Sequence, residues 1–127
     1  MGKALLVTID FAVGKKLVEA LDHSDLSISV ALWAYLSEYE DWRFVLSSRK
    51  LDEAKPAEAY GLVRNVLKAA DFPSEQIPTL AIRSMSDPFI RALRRMFGKT
   101  KSVEGMRLGG QLIGNRFIED AVVYRIR

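Results

Sequence analysis

The sequence predicts an α+β fold, a two-layer or three-layer sandwich of helices on a mixed or antiparallel five-stranded sheet. Three observations predict it. Residues 27–36 and 42–48 alternate their side chains with period two and are rich in β-branched and aromatic residues. Residues 10–22, 56–70 and 88–97 instead repeat apolar side chains at helical spacing. Two further strand-like runs close the chain around Gly114-Asn115, a pair suited to a two-residue hairpin turn. The order read is α-β-β-α-β-α-β-β. The 127 residues, 49% of them hydrophobic, are enough for one core in one domain, 1–127, without covalent staples.

The first helix, 10–22, sets Val13, Leu17, Ala20 and Leu21 against Lys15, Lys16, Glu19 and Asp22, with Thr8 or Asp10 as its cap. Gly14 inside it costs about 1 kcal/mol relative to Ala. His23, the only histidine, follows with no acid or nucleophile beside it and reads as a structural residue near the helix C-terminus. In 27–36, Ile28, Val30, Leu32, Ala34 and Leu36 alternate with Ser29, Ala31, Trp33 and Tyr35. Ala and Leu also suit a helix, but the β-branched and aromatic residues favour a strand. The polar stretch 37–41 is a hairpin loop into the strand of Trp42, Phe44 and Leu46.

Pro56 opens the second helix at its first position, after Asp52 and Lys55. Its apolar side is Ala59, Leu62, Val63, Val66, Leu67 and Ala70, and Asp71-Phe72-Pro73 stops it. A short strand follows over 79–83. Asp87-Pro88 then starts the third helix, with Phe89, Ile90, Leu93, Met96 and Phe97 inward and Arg91, Arg94 and Arg95 outward. Gly98 ends it.

The closing hairpin joins strands 104–113 and 116–127. A two-residue loop fixes the pairing, so Leu112 faces Phe117, Gly110 faces Glu119 and Gly109 faces Asp120. Strict alternation then puts Met106, Leu108, Leu112, Phe117, Ala121 and Val123 on one face. The other face receives Ile113, Ile118, Val122, Tyr124 and Ile126, with Arg107, Gln111 and Asp120. Two apolar faces imply a layer on each side or a face covered by a partner chain. An acid on an apolar face needs a partner. Arg107, one diagonal away, suits a structural ion pair with Asp120, backbone donors of a nearby turn would serve the same purpose, and a site is the alternative. A β-bulge at Gly109-Gly110 would shift this register.

Charge narrows the functional classes. Net charge is +3, and residues 91–107 hold Arg91, Arg94, Arg95, Lys99, Lys101 and Arg107 against Glu104 alone. Such a cluster is either an ordinary solvated face or a surface for anions. Five of these residues, Arg91, Arg94, Arg95, Lys99 and Lys101, are the anion-binding candidates. The absence of cysteine excludes disulfides and thiolate metal sites and is consistent with the cytoplasm. The apolar run 4–7 is too short for a signal peptide or a span, so no membrane partner is expected.

The runs Ala31-Leu32-Trp33-Ala34-Tyr35 and Asp41-Trp42-Arg43, then Asp87-Pro88 with Leu93-Arg94, and above all Phe117-Ile118-Glu119-Asp120-Ala121 with Tyr124-Arg125, carry a resemblance. The chain resembles, over most of its length, a group of small functionally uncharacterised bacterial proteins. Their hairpin turn is usually Asn-Gly, where this chain has Gly114-Asn115, a swap that keeps the turn chemistry. Their end is Tyr-Ile-Tyr-Arg-Leu, where this chain has Val122 to Ile126. The resemblance implies no activity.

Nucleophilic catalysis lacks a cysteine, a Gly-x-Ser-x-Gly and a partnered histidine, and no phosphate-binding glycine loop follows a strand. No catalytic residue, cofactor or metal ligand is assigned. The expected function is a non-enzymatic binding or accessory module with a basic surface, for which nucleic acid or another anion is the partner. Trp33, Tyr35, Tyr39 and Trp42 would stack on bases or pack in the core, with core packing favoured for the tryptophans. One alternative is a metal-dependent phosphoesterase using Asp120, in which Glu119 joins one metal only if a bulge turns it to the same side. The other is a homo-oligomer, a dimer joined through the closing hairpin.

Overall fold

The computed structural model describes residues 8–100 and 102–127. The apolar run 4–7, the capping side chains of Thr8 and Asp10, and Lys101 lie outside the described residues. The elements are α1 (Thr8–Asp22), β1 (Val30–Leu36), β2 (Asp41–Ser47), α2 (Arg49–Asp52), α3 (Pro56–Ala69), β3 (Leu80–Ile82), α4 (Pro88–Phe97), β4 (Arg107–Leu108), β5 (Gln111–Ile113) and β6 (Arg116–Ile126). A single 3-10 turn, Ser74–Gln76, precedes β3.

The fold is α+β with a mixed sheet. Its order is β3-β2-β1-β6-β4, with β5 also on β6. Only β2 and β3 run parallel; the other pairs are antiparallel. The sheet has six strands, not five, because Gly109-Gly110 interrupts the penultimate strand and Gly110 takes φ +63°. The pairing nevertheless continues across the gap. Ile113 opposes Arg116, and Leu108 opposes Ala121, as the two-residue turn requires.

Both sheet faces are covered, so the architecture is three-layered. Ala31, Trp33, Tyr35, Trp42, Phe44, Leu46, Val122 and Tyr124 pack under α1 and α3 through Leu17, Leu21, Ala59, Val63 and Leu67. Val30, Leu32, Ala34, Leu36, Val45, Ile118, Ala121 and Val123 pack under α4 through Phe89, Ile90, Ala92 and Leu93. Phe89, Ile90 and Leu93 are essentially fully buried, each worth about 1.5–3 kcal/mol of burial. That anchors a ten-residue helix too short to persist alone. Met96 is not part of this inner face; it is 47% exposed. Leu62 likewise leaves the apolar side of α3, at 40% exposed.

Alternation fails along β6. Its register against β1 shifts twice, between Ala31 and Leu32 and between Tyr35 and Leu36. Each shift leaves one β6 residue unpaired and turns the following side chains over. Ile113, Ile118 and Ile126 therefore share the α4 face with Ala121 and Val123, rather than the face of Val122 and Tyr124. Leu112 and Phe117, expected in the core, are 68% and 51% exposed.

α2 is a four-residue helix the apolar period cannot reveal. Ser48 caps it: the hydroxyl accepts from the Leu51 amide at 3.0 Å, and both residues are buried.

Candidate functional site

α4 projects its charges away from the core. Arg91, Arg95 and Lys99 are exposed, and no acid lies between Pro88 and Lys99. Arg94 is partly covered because its Nε donates to the Arg127 carbonyl at 3.0 Å, tying α4 to the end of β6.

The sheet adds two cations to this side. Arg43 lies opposite Ala34 and two residues from Val45, both in the core beneath α4. Arg83 lies two residues past Ala81, in the same core. Both converge on Tyr39. The Arg43 guanidinium sits 4.0 Å from the Tyr39 ring centroid, a cation–π stack. Arg83 Nη2 donates to the Tyr39 hydroxyl at 3.5 Å, and this bond, with the guanidinium charge, holds the phenol below the usual tyrosine pKa. Tyr39 stays 41% exposed. Nε of Arg43 is buried with no hydrogen-bond partner among the described residues.

Ion pairing divides the surface. Lys15, Lys50, Arg107, Arg116 and Arg125 are paired with Glu104, Asp25, Asp120, Glu38 and Asp22. Among the described residues, none of Arg43, Arg83, Arg91, Arg94, Arg95 and Lys99 has a carboxylate within ion-pair distance.

Asp120 is arranged differently. It opposes Tyr35 on β1, with its side chain 15% exposed. Arg107 Nη2 donates to its Oδ2 at 2.5 Å and Nε to its Oδ1 at 3.3 Å; the Ala121 amide also donates to Oδ1 at 2.9 Å. Both carboxylate oxygens are thus occupied by the diagonal arginine. The bulge there leaves Glu119 unpaired, close enough that, after burial, it is the main charge pushing the Tyr35 phenol up. The strict-alternation objection to joining Glu119 and Asp120 therefore falls. Yet among the described residues no three acids, histidines or cysteines are placed to hold a metal ion.

Trp33, Tyr35 and Trp42 are buried, Trp33 edge-on to Phe44 at 5.1 Å and Tyr35 edge-on to Trp42 at 5.8 Å. Of the four hairpin aromatics, Tyr39 is the one presented to solvent. His23 is exposed at the end of α1.

One cleft escaped the sequence reading. The chain leaves β2 for α3 on one sheet face and leaves β3 for α4 on the other. Diverging connections open a crevice at the carboxyl ends of parallel strands. A cavity of about 320 Å³ lies there, lined by Leu51, Asp52, Ala59, Tyr60, Ile82 and Ser84 among others. Arg83 also borders it, and the other polar side chains there are spent on the fold. Asp52 Oδ2 accepts from the Met85 amide at 2.9 Å and the Ser84 hydroxyl at 3.3 Å, and the Tyr60 hydroxyl accepts from the Ile82 amide at 3.1 Å.

No family model, curated protein or solved structure matches the chain. Among the described residues, no helix is long and apolar enough to cross a membrane.

Proposed function

We propose that this chain is a non-enzymatic binding module whose working surface is the α4 side of the sheet and whose partner is a polyanion. One observation carries the reading: six cations, Arg43, Arg83, Arg91, Arg94, Arg95 and Lys99, stand on that side without a carboxylate partner among the described residues. Arg91 and Arg95 are like charges at i,i+4, a spacing that costs a helix about 0.2–0.5 kcal/mol, and an anionic partner relieves that cost. Nucleic acid, the abundant polyanion of the cytoplasm, is the partner to test first.

Fluorescence anisotropy of labelled oligonucleotides provides the test. Affinity should fall linearly in log–log form with salt, because phosphate contacts release counterions. Arg91→Glu/Arg95→Glu should weaken binding and reduce the salt slope by roughly 1.4 on a single strand, two contacts at about 0.7 each. No binding at low salt, or an unchanged slope in the double variant, refutes the proposal.

A second reading, self-association, is favoured by Leu112 and Phe117, cross-strand neighbours exposed at the hairpin tip. Sedimentation showing a dimer that Phe117→Glu dissolves supports it; a monomer at micromolar concentration ends it.

A further inference from the structure

We infer that Tyr39, held between Arg43 and Arg83, is a base-stacking platform, so that the polyanion taken by this surface is single-stranded nucleic acid. The inference rests on the binding surface proposed above and names its partner class. A solvated basic face needs no aromatic residue. Here the β1–β2 loop places a ring on the same side of the sheet as the unpaired cations, with 41% of the residue exposed. Arg43 at 4.0 Å from the centroid fixes the orientation of the ring. Arg83, 3.5 Å from the hydroxyl, fixes its outer end. A ring gripped in this way loses little further freedom when a base lies on it, which lowers the cost of stacking.

The two guanidiniums also carry charge that no carboxylate among the described residues neutralises. Among the described residues Arg83 has a single long side-chain bond, to Tyr39, and the Arg43 head lies on the ring rather than on a carboxylate; Nε of Arg43 is buried, so it is the outer nitrogens of the two groups that could meet a ligand. Phosphate oxygens flanking a stacked base are matched to such donors in charge and planar geometry. A duplex hides the faces of its bases, so a stacking platform discriminates for single strands, while an acidic peptide has no base to stack. Glu38, Glu40 and Asp41 flank Tyr39 in the loop, but Glu38 is paired with Arg116, and among the described residues no carboxylate comes within ion-pair distance of Arg43 or Arg83. A partner carrying both a π-face and phosphates answers the ring and these charges together.

The test compares four probes at one salt concentration: oligothymidylate, a duplex of equal length, inorganic polyphosphate and poly-glutamate. The expected result is tightest binding of oligothymidylate, by about tenfold or more, as stacking on one aromatic side chain allows. Tyr39→Ala should remove that preference, with a loss of about fivefold to a hundredfold on oligothymidylate alone. Polyphosphate and duplex binding and the salt slope should stay as they were. Tyr39→Phe should retain most of the preference, which separates stacking from the hydroxyl bond to Arg83. Equal affinity for duplex or poly-glutamate overturns the inference, as does a Tyr39→Ala loss shared by every probe. If polyphosphate and duplex bind but oligothymidylate gains nothing, this inference alone falls. If no probe binds, the polyanion surface falls with it.

Discussion

Two helix-interior glycines make opposite predictions from one substitution. Gly14 lies in α1 and Gly61 in α3, and in an exposed helix Gly→Ala gains about 1 kcal/mol. At Gly61 an added methyl meets nothing within 4 Å, so Gly61→Ala should stabilise by roughly 0.5–1 kcal/mol. At Gly14 the methyl meets the Tyr124 hydroxyl, lies 2.6 Å from its Cζ, and lies 2.9 Å from Trp33 Nε1. Tyr124 cannot simply move, because its hydroxyl donates to the Phe11 carbonyl at 2.5 Å and its ring stacks on Phe11 at 4.8 Å. Overpacking costs about 1–3 kcal/mol, and loss of the hydrogen bond about 1. Against the gain in propensity, the net for Gly14→Ala is a loss of about 2 kcal/mol. Thermal melting at fixed pH should show a drop of roughly 6–10 °C for Gly14→Ala and a rise of roughly 2–4 °C for Gly61→Ala. Tyr124→Phe removes the nearest atom, so the double variant should show a favourable coupling near 1 kcal/mol. If Gly14→Ala melts at or above the parent temperature, the packing of α1 on Tyr124 described here is wrong.

Adjacent serines give a second contrast. Ser47 and Ser48 are both fully buried, but the Ser47 hydroxyl has no hydrogen-bond partner among the described residues, whereas Ser48 caps α2. Ser48→Ala should lower the urea midpoint by the equivalent of about 1–2 kcal/mol, and Ser47→Ala should leave it unchanged or raise it by up to about 1 kcal/mol. Equal losses at constant m would contradict the assignment. A third prediction concerns acid. Arg125 donates to both oxygens of Asp22 at 2.7 Å, and this hydrogen bonding, opposed by burial and aided by the guanidinium charge, holds the Asp22 pKa below its ordinary value. A depressed carboxylate stabilises the fold above its unfolded pKa, about 3.9, and that contribution is lost as pH falls through the lower folded pKa. Asp22 is 40% exposed, so the effect is screened and modest. Asp22→Asn should flatten the fall in urea midpoint below about pH 4; an acid limb identical to the parent's would remove the pair from the account.

What was legible followed from local rules. Gly114-Asn115 fixed the hairpin register because a two-residue turn allows one pairing, and the diagonal from Asp120 to Arg107 followed by counting. Which face each side chain takes did not follow. The bulges in β6 sit opposite β1, a strand some ninety residues earlier, and nothing local to 116–127 announces them. The exposure of Leu112 and Phe117 and the placement of Ile118 were lost for that reason. α2 was missed because four residues carry no period, leaving Ser48 and Leu51 as the sole trace of a cap. On α4 the cations were legible because helical spacing separates them from Phe89, Ile90 and Leu93 within one segment.

The Tyr39 stack was not legible, since Arg43 and Arg83 are brought together only by the parallel pairing of β2 and β3. Its position also has a structural cause. Two long helices cover one sheet face, whereas among the described residues α4 is the one helix on the other, packed mainly on β5 and β6 with Met85 and Val103 beside it. The β2–β3 half of that face is left with Val45 and Ala81, which are nonetheless buried, and Arg43 and Arg83 are their same-face neighbours along the strands. Long arginine stems lie over apolar surface while their heads reach water. The residues that shield this strip are therefore the ones that charge it, and truncating either arginine would confound stability with binding. Tyr39, outside the core and gripped only at its ring and hydroxyl, is the position where the two effects come apart. Loss of binding in a Tyr39→Ala protein that melts like the parent has to come from the surface itself.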